Sequence, residues 1–191
     1  MADGPRMLAS FVRGSLSAID DLDADLGQRV RAAMKPETLE ELESASAVSW
    51  LPVRVDVELT ERFVEVAGEE LALQALRDNL ANALNTPVLK PMLDGAFAIF
   101  GRKPTKMLKW TSQVWSLLYR DCGSLALAKS DEHSAVLEGR GLPPELTASA
   151  NYMKGVTGAL LGFFDVLGIE AECKLEQLEE GRVAFLLTWK S

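Results

Sequence analysis

The chain has 191 residues, 48% of them hydrophobic and 25% charged, which is enough for one domain with a core and is not the composition of a disordered chain. Its 28 acidic against 20 basic residues leave a net charge of −8, which argues against a general nucleic-acid binder and against broad adsorption to anionic lipid. Cys122 and Cys173 are the two cysteines and stand in no paired spacing, so both are read as reduced thiols rather than as a disulfide scaffold.

The start, MADGPRMLASFVRGSL, carries acid and base before any apolar run and is not a secretory signal, so a cytoplasmic location is expected. The first fifty residues read as acidic helices. Ser17 is the expected cap of a helix beginning SAIDD, Gly27 its interruption, and Pro36 the first turn of PETLEELESA. WLPVRVDVELTERFVEVAG alternates like a strand at Val53, Val55 and Val57. It also places Val55, Leu59, Phe63 and Val66 at helical spacing, and a helix ending at Gly68 is expected. EELALQALRDNLANAL is an amphipathic helix with Leu73, Leu76, Leu80 and Leu84 on one face. Pro87 and Pro91 lead to LDGAFAIF, Gly101 ends that run, and Pro104 opens one long helix to Tyr119.

After Tyr119 the period changes. CGSLALAK and SAVLEG read as strands around a turn with Asp131 and Glu132, and GRGLPPEL as a loop. The apolar segment from Asn151 is a helix with Thr147 or Ser149 near its cap. Between Lys154 and Asp165 it has about ten uncharged residues, against roughly 20 for a membrane span. IEAECKLEQL and RVAFLLTW, joined by Glu179-Glu180-Gly181, read as a second hairpin. The expected fold is α+β: a helical N-terminal half, then an antiparallel sheet of about four strands in the order hairpin, long helix, hairpin.

Few residues announce chemistry. His133, beside Asp131 and Glu132, reads as a solvated turn rather than a metal or acid–base site. Gly155, Gly158 and Gly162 each cost a helix about 0.5–1 kcal/mol, so close backbone approach must offset them. That approach is to the sheet of the same chain or, in the other reading, to a partner helix. Lys90, Arg102, Lys103, Lys106, Lys109 and Arg120 lie in a span whose one acid is Asp94. Arg102, Lys103, Lys106 and Lys109 form an anion or partner patch in one reading and a solvated face in the other.

The segment Asn151–Trp189 has a Tyr, G-x-x-x-G spacing, an apolar helix ending Leu-Gly-Ile, an alternating strand, an acidic turn with Gly and a last strand. It resembles the C-terminal part of the 4-vinyl reductase domain family, related in fold to transport-particle subunits and to the haem nitric-oxide sensor domain. The whole chain is similar to an uncharacterised paralogous family expanded in myxobacteria, through V-R-G-S at Val12–Ser15, Ser49-Trp50 before a Pro, and the GRKP-to-LLYRDCG region. The resemblance implies a ligand-binding or protein-docking module, often dimeric, with an apolar cavity between helices and sheet. In the transport-particle relatives a cysteine can hold an acyl chain, which brings Cys122 into question, although a buried structural thiol is the expected outcome.

The departures weigh against a cofactor. The haem sensors use a helical His and a Tyr-x-Ser-x-Arg signature. Here the single histidine, His133, lies in the turn KSDEHSAV and the signature is absent, so the sequence argues against haem. The EEGRVAF turn lacks the Cys and His residues that 4-vinyl reductase relatives often carry.

The resulting expectation is one domain over 1–191, with 1–50 as a helical extension on a 51–191 core. Its function is a non-enzymatic regulatory module for a small apolar or acyl ligand, a partner protein, or both. The pocket is assigned to Trp110, Val114, Trp115, Leu118, Cys122, Leu160 and Phe164, between the Gly155–Leu167 helix, the Lys106–Tyr119 helix and the sheet. Gly155, Gly158 and Gly162 are the candidate interface of a homodimer, and an acidic protein is the second partner. No catalytic residue, metal or resident cofactor is assigned. A ligand-free dimeric scaffold is the alternative, and an enzyme of unknown reaction comes third. A binding module should enclose at least about 300 Å³.

Overall fold

The computed structural model describes residues 4–86 and 89–190, with Phe100 described by its backbone alone. Strand β1 (Arg6–Leu8) runs directly into helix α1 (Ala9–Leu22), so Ser17 lies inside the helix instead of capping it. Ala9, Val12, Leu16 and Ile19 recur on one face and are buried. The break before α2 (Ala24–Ala33) falls at Asp23, whose carboxylate accepts from the Asp25 N–H at 2.8 Å, and not at Gly27. Gly27 stays within α2 because a Cβ there would sit 1.9 Å from an Asp20 carboxylate oxygen. That carboxylate holds the Arg31 guanidinium through two bonds of 2.6 and 2.7 Å.

Helix α3 (Pro36–Ser44) starts on its proline, and strand β2 (Trp50–Pro52) leads into α4 (Val53–Ala67). The helical reading of that ambiguous stretch is the one adopted: Val55, Leu59 and Phe63 are buried, and Gly68 ends the helix at φ +87°. In α5 (Glu69–Leu84) the buried face is Ala72, Ala75, Asn79, Leu80 and Leu84; Leu73 and Leu76 are only half-buried. The expected long helix after Pro104 is broken. Helices α6 (Lys90–Phe100) and α7 (Pro104–Met107) precede a 3-10 turn at Leu108–Trp110, α8 (Thr111–Leu118) and strand β3 (Tyr119–Arg120).

Strands β1, β2 and β3 form a small antiparallel sheet in the order β2-β1-β3, with Met7 opposite Leu51 and Tyr119. The larger sheet is the predicted pair of hairpins, β4 (Ser124–Ser130) with β5 (Ser134–Arg140) and β6 (Ala171–Glu179) with β7 (Arg182–Trp189). Its order is β4-β5-β7-β6, antiparallel throughout. Between the hairpins run α9 (Pro144–Thr147) and α10 (Ala150–Leu167), the latter capped by the Ser149 hydroxyl accepting from Tyr152 N–H at 3.0 Å. The protein is thus α+β, helical first and sheet-forming last, as the periodicity predicts.

Helix α10 lies between the large sheet and α5. Its sheet side carries Phe164, whose ring approaches that of Trp189 at 5.5 Å between centroids, over Leu137, Phe185 and Leu187. On its other side the three glycines meet α5. A Cβ on Gly158 would stand 2.5 Å from the Leu73 carbonyl oxygen, and one on Gly162 2.1 Å from that of Arg77. Gly155 faces the Leu76 side chain. Close approach is therefore the reason for these glycines, but the neighbour is a helix of the same chain, neither the sheet nor a second subunit. Side chains from the first fifty residues, including Met7, Val12, Leu16, Val30 and Leu42, join the main core with those of the sheet.

Candidate ligand cavity

A smaller apolar cluster, separate from the main core, gathers Leu80, Leu84, Leu93, Ala96, Met107 and Leu167. Beside it is a cavity of about 80 Å³ walled by α5, α6, α7, α8 and α10. Trp110, Val114, Leu118 and Leu160 line it, together with Leu80, Leu84, Leu89, Met92, Leu93, Met107, Leu108, Thr111, Leu117 and Phe163. Trp110 and Thr111 aside, no lining residue brings a polar side-chain atom, and the Thr111 hydroxyl donates to the Leu108 carbonyl at 2.7 Å.

Three of the residues expected here point elsewhere. Trp115 stacks on Tyr119 at 3.9 Å and donates from Nε1 to the Cys122 carbonyl at 3.3 Å. Phe164 packs on the sheet. Cys122 sits in the main core with its thiol donating to the Arg120 carbonyl at 3.0 Å, and burial pushes that thiol up to about 11. A thiol so protonated is a poor nucleophile and a poor acylation site. No residue of the large sheet lines the cavity, contrary to the expected sheet wall. At about 80 Å³ it is also below the roughly 300 Å³ of an open ligand pocket. The residues that sequence reasoning missed are mainly leucines and methionines spread over α5, α6, α7 and α8, which carry no signal beyond apolar periodicity.

A wider groove of about 640 Å³ opens to solvent between α1, α5 and α8. Leu89, Leu117 and Leu118 line both spaces and so form the partition between them.

The other candidates stay at the surface. His133 occupies the β4–β5 turn, half exposed, with Nε2 3.9 Å from Glu132. Among the described residues no three His, Cys, Asp or Glu side chains come together as metal ligands would. Arg102 lies over the Phe97 ring at 4.9 Å, and Lys103 caps α7, a helix of four residues, too short to present a developed dipole to an anion. Lys109 belongs to the 3-10 turn beyond it. No described helix is long and apolar enough to cross a membrane.

One buried polar chain also stands out. Asp56 of α4 is 4% exposed, and its Oδ2 accepts from the Tyr152 hydroxyl at 2.8 Å. The Tyr119 hydroxyl lies 2.8 Å from that of Tyr152. Burial pushes the Asp56 carboxyl up to about 6, against the lowering effect of the Tyr152 bond. Both tyrosine hydroxyls are pushed upward, first by burial and then by the Asp56 charge.

No protein-family model matches the sequence, and neither does any curated protein. The fold does have solved counterparts. The chain is similar to an Fe(II) unliganded H-NOX protein from K. algicida at 12% identity and TM-score 0.68, over 97% of each chain. It is similar to an oxygen-binding H-NOX domain related to soluble guanylate cyclases, in its oxygen complex, at 13% identity and TM-score 0.63, over 97% of this chain and 96% of that one. A third, from a study of haem distortion in the H-NOX family, gives 14% identity and TM-score 0.63 over the same shares. The fold is therefore that of the haem nitric-oxide sensor domains to which the sequence resemblance extended.

This finding overturns the expectation of no cofactor, with haem argued against: the proteins sharing the fold over nearly the whole chain are haem proteins. The cavity lining meets part of what such a group requires. Its leucine, phenylalanine and valine walls suit the faces of a macrocycle. The Met92 and Met107 thioethers are the soft donors that the lining offers to iron. His133 is not among the lining residues, and the present volume admits no macrocycle without movement of a wall.

Proposed function

We propose that this chain is a non-enzymatic regulatory domain that takes a ligand into the cavity between α5, α6, α8 and α10, and that haem is the ligand to which its fold points. The observation that carries the reading is an apolar cavity that shares Leu89, Leu117 and Leu118 with an open groove. Displacing those side chains joins the two spaces without breaking a hydrogen bond of the sheet. Helix α6 is the wall suited to move: its main neighbour is α7, and Met92 and Ile99 on it are 41% and 72% exposed. Met92 and Met107 would hold iron, and the haem would supply a site for a diatomic gas or a redox change. The protein would contribute positioning, an apolar wall and exclusion of water.

The finer features belong to the same proposal. The domain acts in the cytoplasm, as one unit over 1–191, and reports to an acidic partner through Arg102, Lys103, Lys106 and Lys109 or to a second copy of itself. Its kin would include the myxobacterial paralogues it resembles in sequence.

Haem titration of the purified protein tests this. A Soret band that saturates at one haem per chain, and that shifts in Met92→Ala or Met107→Ala, is the expected result. A spectrum equal to that of free haem overturns it. Sedimentation of the same sample decides between a monomer and the homodimer.

A further inference from the structure

Asp56, Tyr152 and Tyr119 come from three elements, α4, α10 and β3, and meet through two hydrogen bonds of 2.8 Å. An ionised carboxylate only accepts, so the Tyr152 proton goes to Asp56 and the Tyr119 proton to Tyr152. The chain of donors then has one direction. Its flaw is the second carboxylate oxygen, Oδ1, which is buried with no hydrogen-bond partner. A proton on Asp56 moves the flaw rather than removing it. On Oδ1 that proton has no acceptor. On Oδ2 it makes Asp56 the donor to Tyr152, which turns its own proton to Tyr119 or to the Met7 sulfur at 3.8 Å. Where it turns to Tyr119, that hydroxyl becomes the acceptor and its own proton loses its partner. Neither state satisfies every group, so neither is held by a complete set of hydrogen bonds.

We propose that these three residues form a proton-operated latch that ties α4 to α10 and to the α8 wall of the cavity. With Asp56 ionised the latch is closed, Tyr119 donating to Tyr152; with Asp56 protonated on Oδ2 the latch reverses, Tyr152 donates to Tyr119 and the Tyr119 proton is left without its acceptor. Tyr119 reaches α8 by its stack on Trp115, which adjoins Val114 and lies one turn before Leu118 of the cavity wall. It also continues β3, which pairs with β1 at Met7. The reversal at Tyr119 is thereby set against both the small sheet and the cavity wall. The latch stands whatever fills the cavity.

Most of the neighbouring charges have partners of their own. Tyr152 from α10 is the one group besides burial that acts on its carboxyl. On α4 itself, Glu58 binds Lys35 N–H and Thr38, Glu61 binds Ser149 and Asn151, Arg54 pairs with Glu41 of α3, and Arg62 pairs with Glu65. Arg29 of α2 donates to the Val66 carbonyl, and Arg31 pairs with Asp20 of α1 and Glu43 of α3. Arg13 of α1 donates to the Ala45 carbonyl, Glu69 of α5 pairs with Lys154 of α10, and Arg77 of α5 with Asp165 of α10. Arg120 of β3 lies over Trp50 of β2. Glu145 of α9 and Asp121 act on Cys122, which lies beyond Tyr119, and Arg6 of β1 presents its carbonyl to that thiol.

The test is the tryptophan emission of the full chain, followed from acid to neutral pH. Wild type and His133→Gln should share one step centred near pH 6, where Asp56 titrates, and Asp56→Asn and Tyr119→Phe should lack it. His133→Gln is needed because the His133 carbonyl accepts from Trp189 N–H. A step that persists in Asp56→Asn, or that vanishes in His133→Gln, overturns the latch. Infrared difference spectra of the wild type alone give a second reading that no unstable variant can spoil. The C=O band of a buried protonated carboxyl should grow below pH 6 with the same midpoint; its absence overturns the proposal.

Discussion

At Asp56 burial alters the protonation equilibrium enough to be felt as stability. A carboxyl that ordinarily titrates at 3.8 titrates here at about 6, and each unit of pKa is worth about 1.4 kcal/mol. The folded chain holds this proton more tightly than the unfolded one. Its contribution is therefore fully present below about pH 4, declines as the pH rises through about 6, and is lost above that, at a cost on the order of 3 kcal/mol. Asp56→Asn should unfold at higher urea than the parent at pH 7.5, by about 1–2 kcal/mol, and show no advantage at pH 4. The gain is smaller than the full cost because the amide inherits an unpartnered position. Asp20 has the opposite sign: the Arg31 bond lowers its pKa, so its contribution is present at neutral pH and lost as the pH falls through that lowered value. Both members are partly exposed, and Arg31→Ala should cost no more than about 1 kcal/mol at neutral pH, read by the same urea curves.

Helix α10 packs closely on α5, and its glycines give a prediction with an internal control. Alanine normally improves a helix by about 0.5–1 kcal/mol over glycine. At Gly158 and Gly162 the added methyl meets main-chain carbonyls of α5, which cannot rotate away. Gly158→Ala and Gly162→Ala should each lose about 2–3 kcal/mol in thermal or urea unfolding. Gly95→Ala in α6, where a Cβ meets nothing within 4 Å, should gain about 0.5–1 kcal/mol. Equal effects at all three positions would disprove α10–α5 packing as the cause. The same helix marks what a sequence can disclose. Spacing makes the need for close approach legible at Gly158 and Gly162, but spacing is silent about which element approaches, and the sheet was the wrong choice. The second hairpin was readable because Ile169–Leu175 alternates and an acidic turn with Gly181 leads into the apolar run RVAFLLTW. Strands β1, β2 and β3 were not, because two or three residues cannot display a period. Ser17 and Gly27 suggest boundaries by residue type, yet pairing of β1 starts α1 early and the Asp20 carboxylate fills the space where a Gly27 side chain would go.

Across the whole molecule the candidate site divides into a legible and an illegible half. Trp110, Val114, Leu118 and Leu160 were foreseeable as apolar positions on two hydrophobic helices. The Asp56–Tyr152–Tyr119 chain was not, since its members lie 96 and 33 residues apart and Asp56 reads as one more charge in an alternating run. The absence of a helical histidine was legible and misleading, because it argues about one ligand atom while the fold is set by packing throughout the chain.

The cavity itself supplies a prediction in which stability and binding move in opposite directions. A void of about 80 Å³ lined by Leu80, Leu84, Met107 and Leu160 forfeits dispersion contacts, and filling part of it restores them. Val114→Leu adds one methylene at the edge of that void and should raise the unfolding free energy by about 0.5–1 kcal/mol. The same methylene narrows the space behind the leucine partition, so haem uptake should weaken severalfold in the variant. In the wild type, haem at about a hundredfold over its Kd should raise stability by about 2.7 kcal/mol, and the gain should shrink in Val114→Leu at the same haem concentration. If the substitution stabilises the apoprotein and leaves the haem-dependent gain untouched, haem binds elsewhere on the fold. If it destabilises the apoprotein, the space behind Leu118 is already filled by motions of α6, and that helix rather than the void becomes the place to look for the response.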